Sequence, residues 1–205
     1  MTNFMNTNCK FNLDLGDLAR SGHVTRWHSV RTFREQTLAE HHYMVAMVSN
    51  KLAKDILGSD INDSERLQLL EYALWHDMPE LVMGDISSPC KNRIKQICGK
   101  HQVNPIDQLE EEIAPWLCKL KRNLKPELTI IVKLADLIDA ILFISQEGIG
   151  KHALVVKDGL EIAFEEKIQE AYRTSGHFKW SLAKDILEKL LRIEDRQIDF
   201  ELKSK

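Results

Sequence analysis

Apolar side chains recur at helical spacing through most of this 205-residue chain, and that period predicts one helix after another. Phe11, Leu15 and Leu18 mark a short helix over residues 11–22, and an irregular polar stretch follows from His23 to Gln36. Thr37-Leu38-Ala39-Glu40 has the form of a capping box: a hydroxyl accepts from the amide three residues on, and the acid reaches back. It opens a helix to about Leu57, with Met44, Val45, Val48, Leu52 and Ile56 as the buried stripe and Gly58 as the stop. Asn62-Asp63-Ser64-Glu65 caps the next, whose inward face is expected to carry Leu67, Leu70, Ala73 and Leu74 as far as His76. Pro79 opens a further turn or helix. Residues 82–92, with Gly84, two serines and Pro89, read as a loop. Residues 106–121 form a helix that Pro115 kinks or ends. Pro126 begins an apolar helix to about Glu147, carrying Ile130, Ile131, Leu134, Leu137, Ile138 and Ile141. Gly148 and Gly150 break it, and amphipathic helices follow over 151–173 and 179–193.

The expected fold class is therefore all-α, in one domain spanning the chain: a core of about residues 11–150 and C-terminal helices over 151–194. Composition agrees: 9 Gly and 5 Pro are too few turn residues for a sheet protein of this length. The 43% apolar and 29% charged fractions exclude disorder. A net charge of −3 and a pI of about 6.2 supply no basic field for a nucleic-acid polymer or an anionic membrane. The cysteines (Cys9, Cys90, Cys98, Cys118) form no C-x-x-C, which excludes a zinc finger and fits a reducing compartment. No apolar run approaches the roughly 20 residues of a membrane helix, and the first residues lack the parts of a signal peptide. A cytoplasmic protein is expected, in the host cytoplasm if a phage encodes it. The stripes Leu154, Leu160, Phe164, Ile168 and Leu182, Ile186, Leu190 exceed what one small core buries, so a homo-oligomer is expected.

Three polar features interrupt the apolar helices. His76-Asp77 ends one, His41 sits in the first turn of another, and Asp136 lies within Leu134-Ala135-Asp136-Leu137. A carboxylate on an apolar face costs several kcal/mol unless it is paired or holds a metal; the plainer alternative is a surface Asp, or one met by an Arg. Asp77 at a helix C-terminus opposes the dipole, a penalty that a cation removes. Two imidazoles and two carboxylates suit a divalent ion with open positions, whether Mn, Co, Fe, Zn or Mg. His42 points about 100° away from His41 and should not share the ion. No G-x-x-x-x-G-K-S/T phosphate loop exists.

The order His41, His76-Asp77, Asp136 resembles the HD superfamily of metal-dependent phosphohydrolases. Arg26-Trp27, Ala39-Glu40-His41, His76-Asp77-Met78-Pro79-Glu80 and Gly84-Asp85 with Pro89 and Lys91 resemble its bacterial 5′-deoxyribonucleotidases. They also resemble the dATP triphosphohydrolases of phages that replace adenine with diaminopurine. The likeness covers roughly residues 11–150 and implies an HD-type helical bundle. It implies that His41, His76, Asp77 and Asp136 hold a divalent ion (Co, Mn, Zn or Mg), bringing bound water toward neutral pKa, with Asp77 thereby part of the catalytic machinery. It implies Glu80 as proton carrier, Arg26 and Lys91 as phosphate binders, Trp27 as a wall against a 2′-hydroxyl, and Asp85 as acceptor from the sugar 3′-hydroxyl. Asp85 alternatively only steadies its loop. His28 stands where the bacterial enzymes carry Pro, while the phage enzymes share Arg-Trp-His; Ser29 falls near the base in place of a bulkier residue. The implied activity is hydrolysis of the 5′-phosphoester of a 2′-deoxynucleotide. The favoured substrate is dATP, giving deoxyadenosine and triphosphate or phosphate released stepwise through dADP and dAMP. The alternatives are a general deoxynucleoside 5′-monophosphatase and an inactive nucleotide-binding regulator.

Overall fold

The computed structural model describes residues 13, 15–99 and 103–192. The order among them is α1 (Leu15–Ala19), α2 (Leu38–Ile56), α3 (Asp63–Trp75), α4 (Glu80–Met83), α5 (Ser88–Cys98), α6 (Pro105–Ile113), α7 (Pro115–Asn123), α8 (Pro126–Glu147), α9 (Gly150–Thr174) and α10 (Leu182–Leu191). No strand occurs among the described residues, only the isolated bridges Thr25–Thr37 and Thr32–Gly148. The fold is all-helical, as the apolar period required. Residues 11 and 12 of the first expected helix, and everything from Ile193 on, lie outside the described residues.

α8 is the axis of the bundle. It is apolar on nearly every face, so it must be covered on all sides, and α2, α3, α9 and α10 pack around it. Leu134, Ile138 and Ile141 of α8 are fully buried, with Leu52 of α2 and Leu69 of α3 in the same core. Phe164 and Ile168 of α9 and Trp180 before α10 join that core, so the helices after residue 150 share it.

Both capping boxes form. The Thr37 hydroxyl accepts from the Glu40 amide at 3.2 Å while Glu40 accepts the Thr37 N–H at 2.8 Å. Asn62 and Glu65 do the same for α3. Two sequence expectations need correction. Residues 82–92 are not one loop: α4 runs to Met83, and α5 begins at Ser88 with Pro89 in its first turn, where a missing N–H costs nothing. Lys91 therefore stands on a helix. Of the two readings of Pro115, the ending holds: α6 stops at Ile113 and Pro115 begins α7. Leu67 and Leu74 do not face inward but are 67% and 42% exposed. Apolar residues at 67, 69, 70, 73 and 74 offer α3 two competing stripes. The one through Leu69, Tyr72 and Ala73 meets the core.

Cys90, Cys98 and Cys118 are free thiols; Cys9 lies outside the described residues. No helix among the described residues is long and apolar enough to cross a membrane.

Candidate active site

The Thr37 cap fixes where α2 starts and so sets His41 in its first turn, fully buried and facing α8. α3 stops at Trp75. His76 caps its end with Nδ1 bonded to the Ala73 carbonyl at 2.9 Å, and Asp77 follows as the chain turns into α4. The Nδ1 of His41 meets Asp139 Oδ2 at 2.7 Å. A carbonyl and a carboxylate only accept, so each Nδ1 donates and each Nε2 is left to face a cation or, without one, a proton.

Those two Nε2 atoms face each other at 3.2 Å. Asp77 Oδ2 lies 3.4 Å from one and 3.5 Å from the other. Three electron-rich atoms at such separations repel unless a proton or a metal cation sits among them. The donor set therefore fits a divalent cation. The ligand atoms of His41, His76 and Asp77 all lie within 4.8 Å of one another. Asp136 stands at the edge of this cluster. Its Oδ1 is 3.6 Å from His41 Nε2, while Oδ2 accepts from Lys133 at 2.5 Å. His42 packs beside it, its ring 5.4 Å from that of His76, with Nε2 buried and unpartnered. Burial pushes its pKa down to about 3, which keeps it neutral.

The neighbouring charges shift accordingly. Burial and Arg26 oppose the charge on His41, but hydrogen bonds to Asp139 and Asp77 outweigh them and push its pKa up to about 9. Asp77 titrates well below the ordinary range. Burial resists this, but His76, His41 and Arg26 overcome it. Glu80 moves the other way. Burial first, then Asp77, pushes it up to about 8, against Lys91 and Arg26. Lys91 Nζ donates to Glu80 Oε1 at 3.0 Å, and Glu80 Oε2 is buried without a partner. Glu80 owes its place to the turn after Pro79, which Gly84 closes in the left-handed region (φ 72°) by donating its N–H to the Glu80 carbonyl.

Arg26 and Trp27 come from the segment that looked merely irregular. It is folded back on α2: Arg26 N–H donates to the Gln36 carbonyl and Leu38 N–H to that of Val24. Arg26 Nη1 lies 3.5 Å from Asp77 Oδ2 and Nη2 4.0 Å from Asp136, so the guanidinium leans over both carboxylates. Trp27 adopts φ 68°, left-handed backbone that a bulky residue avoids at a cost of about 1–3 kcal/mol. Its surroundings hold it there. Asp85 Oδ2 accepts its backbone N–H at 3.2 Å, Gln36 Oε1 accepts its indole N–H at 2.8 Å, and the ring stacks on Phe143 at 6.2 Å. Ser29 is exposed, in the turn that Val30 N–H closes onto the Trp27 carbonyl.

Sequence reasoning missed Gln36, Asp139 and Lys133. Asp139 had a readable signal: it lies three residues after Asp136 on the same apolar helix, and the desolvation argument applies to it with more force. Its side chain is 4% exposed, that of Asp136 15%. A lone Gln before a capping box gave none.

A helical bundle that gathers a His, a His-Asp pair and a further Asp around one point is an HD-type metal-dependent phosphohydrolase, and the comparisons with known proteins agree. The family model for 5′-deoxynucleotidase YfbR-like proteins matches residues 15–152. A dATP triphosphohydrolase of Acinetobacter phage SH-Ab 15497 is 32% identical over 87% of this chain and 91% of its own length. A 5′-deoxynucleotidase of Vibrio cholerae is 30% identical over 75% of this chain and 84% of its own. Among solved structures, the cyanophage S-2L HD phosphohydrolase DatZ, bound to dA and one catalytic Zn2+ ion, superposes with a TM-score of 0.73. It has 22% identity and covers 91% of this chain and 99% of its own. The chain belongs to the YfbR-like family of HD phosphohydrolases.

Proposed function

We propose that this enzyme hydrolyses the 5′-phosphoester of 2′-deoxynucleotides, with dATP as the favoured substrate. The observation that carries the reaction class is the pair of imidazole Nε2 atoms 3.2 Å apart with Asp77 against both, beneath the guanidinium of Arg26. The substrate reading is supported by the phage relatives called dATP triphosphohydrolase, at 32% and 30% identity.

His41, His76, Asp77 and Asp136 are the groups that would hold the cation. When bound, it supplies Lewis acidity at the phosphoryl oxygen and an activated water. Arg26 neutralises the phosphoryl group as its planar fork allows. Lys91 adds a second positive charge and steadies Glu80. Glu80, protonated near neutral pH with Oε2 unpartnered, gives its proton to the departing 5′-oxygen. Trp27, held rigid from three sides, walls off the 2′ position. Asp85 both anchors the Trp27 backbone and accepts from the 3′-hydroxyl, and Ser29 lies toward the base. The C-terminal helices belong to the same unit, since they share its core. The outer face of α9 (Leu154, Val155 and Ile162, 62–65% exposed) is covered by a second copy of the chain; a monomer by light scattering would set that aside. The enzyme works in the cytoplasm.

The experiment is dATP turnover with added Co2+, Mn2+ or Zn2+, products resolved by phosphorus NMR. Triphosphate released in one step is expected. Orthophosphate from dAMP but not from dATP would favour the monophosphatase reading. No turnover of any deoxynucleotide would favour a nucleotide-binding regulator. Trp27→Ala should cut the ratio of kcat/KM for dATP over ATP by about 10-fold or more, since one wall of a tight pocket is worth roughly 1–3 kcal/mol. An unchanged ratio would remove Trp27 from sugar selection.

A further inference from the structure

Gln36 and Asp139 are each 3% exposed, among the most buried polar residues described. Between them runs an unbroken chain of hydrogen bonds. The Trp27 indole N–H donates to Gln36 Oε1 at 2.8 Å, and Gln36 Nε2 donates to Asp139 Oδ2 at 2.9 Å. The same Oδ2 accepts from His41 Nδ1 at 2.7 Å. We infer that Gln36 and Asp139 are positioning residues, a strut tying the sugar-facing indole to the imidazole that grips the cation. The cation half of this stands on geometry alone; the sugar half rests on the function proposed above.

The direction of every bond is forced. An indole N–H only donates and a carboxylate only accepts. A residue linking them must accept at one end and donate at the other, which a primary amide does. Glutamate at position 36 would set a second carboxylate against Asp139, and leucine would sever both contacts. At the far end Asp139 requires His41 to carry a proton on Nδ1, so Nε2 is the nitrogen aimed at His76 and Asp77 and the one a cation would take. A carboxylate there also makes the imidazole a stronger donor to a cation.

The helix spacing explains why one strut reaches both sites. Asp136, Asp139 and Phe143 follow one another at i, i+3 and i+7 on α8, so they share a face. That face bears in turn an edge of the cation cluster, the anchor of the strut and the platform under the indole. The left-handed backbone at Trp27 is thereby tied to the most buried element of the fold.

The test measures cation affinity without substrate, by competition between the protein and a chromophoric chelator for Co2+. Asp139→Asn keeps the shape and an acceptor but loses the charge; it should bind Co2+ about 10- to 100-fold more weakly. Gln36→Leu should weaken Co2+ binding about 3-fold or more, the worth of one hydrogen bond. It should also lower the dATP-over-ATP ratio of kcat/KM by a similar factor. A residue that only fills space would lower the melting temperature and move neither quantity. Folded Asp139→Asn protein that binds Co2+ like the wild type overturns the inference, even if the enzyme hydrolyses dATP as proposed. Weakened Co2+ binding supports it, even if no deoxynucleotide is turned over. Should Asp139→Asn fail to fold, Gln36→Leu carries the cation assay. Nitrogen-15 NMR of the wild type adds a third readout: a His41 whose Nδ1 carries no proton overturns the strut outright.

Discussion

Glu80→Gln is expected to lower kcat with dATP about 10²- to 10⁴-fold, the usual worth of a positioned proton donor, with KM little changed. Glutamine keeps an acceptor for Lys91 at nearly the same place, so the loss would report the proton and not the shape. The pH dependence makes this specific. Burial and Asp77 hold Glu80 protonated up to about 8, against an ordinary 4.5. A donor must be protonated to act, so kcat should fall as pH rises through that region. A cation on Asp77 cancels part of the second cause and draws the limb somewhat below 8; burial, the larger cause, is unaffected. Glu80→Gln should erase the limb and leave a low, flat profile. Stability follows the same sign. The folded state binds a proton that the unfolded chain has released above about 4.5, so the stability this group contributes at low pH is lost as pH approaches 8. The melting temperature of Glu80→Gln should therefore gain on the wild type between pH 6 and pH 8.5. A wild-type profile rising steadily to pH 9 would instead make Glu80 a base.

What the sequence disclosed about this site, and what it withheld, divides by range. His41 and His76 were legible because each sits at a helix end that local chemistry defines: a Thr37–Glu40 capping box for one, the end of an apolar run for the other. α8 was legible because a helix apolar on all faces has one place to go. The face of α3 was not, because apolar residues at adjacent positions leave the choice to its neighbours, and Leu67 and Leu74 lost it. Lys91 was placed on a loop because Gly84, the serines and Pro89 look like turn residues, although Pro in a first turn starts a helix as readily as it ends one. Gln36 was beyond reach. Its partners are 9 residues back and 103 residues ahead, and only the folded segment before α2 brings them together. The two acids of α8 show the same divide. The argument from buried charge selected Asp136, which resembles a known ligand, yet the more deeply buried group is Asp139.

His76→Ala is expected to abolish cation-dependent turnover, with Co2+ affinity down by well over 100-fold. Even partners one step removed from a metal cost 10–100-fold when lost. The sharper expectation concerns stability. In the cation-free protein the two Nε2 atoms and Asp77 Oδ2 crowd within 3.5 Å around no more than the His41 proton, a weaker counter-charge than a divalent ion. Saturating cation at 100 times its Kd should thus add about 2.7 kcal/mol to the wild type. Removing one imidazole relieves the crowding but also empties a buried space beside Tyr72 and His42. Cation-free His76→Ala should therefore melt close to the wild type, far less destabilised than an ordinary core truncation, which costs roughly 2–5 kcal/mol. It should gain nothing from added Co2+. Calorimetric scans of both proteins with and without Co2+ would separate the two contributions. A large cation-induced shift surviving in His76→Ala would place the ion elsewhere, and a deep loss in the cation-free variant would mean that His76 is held by packing rather than poised for a charge.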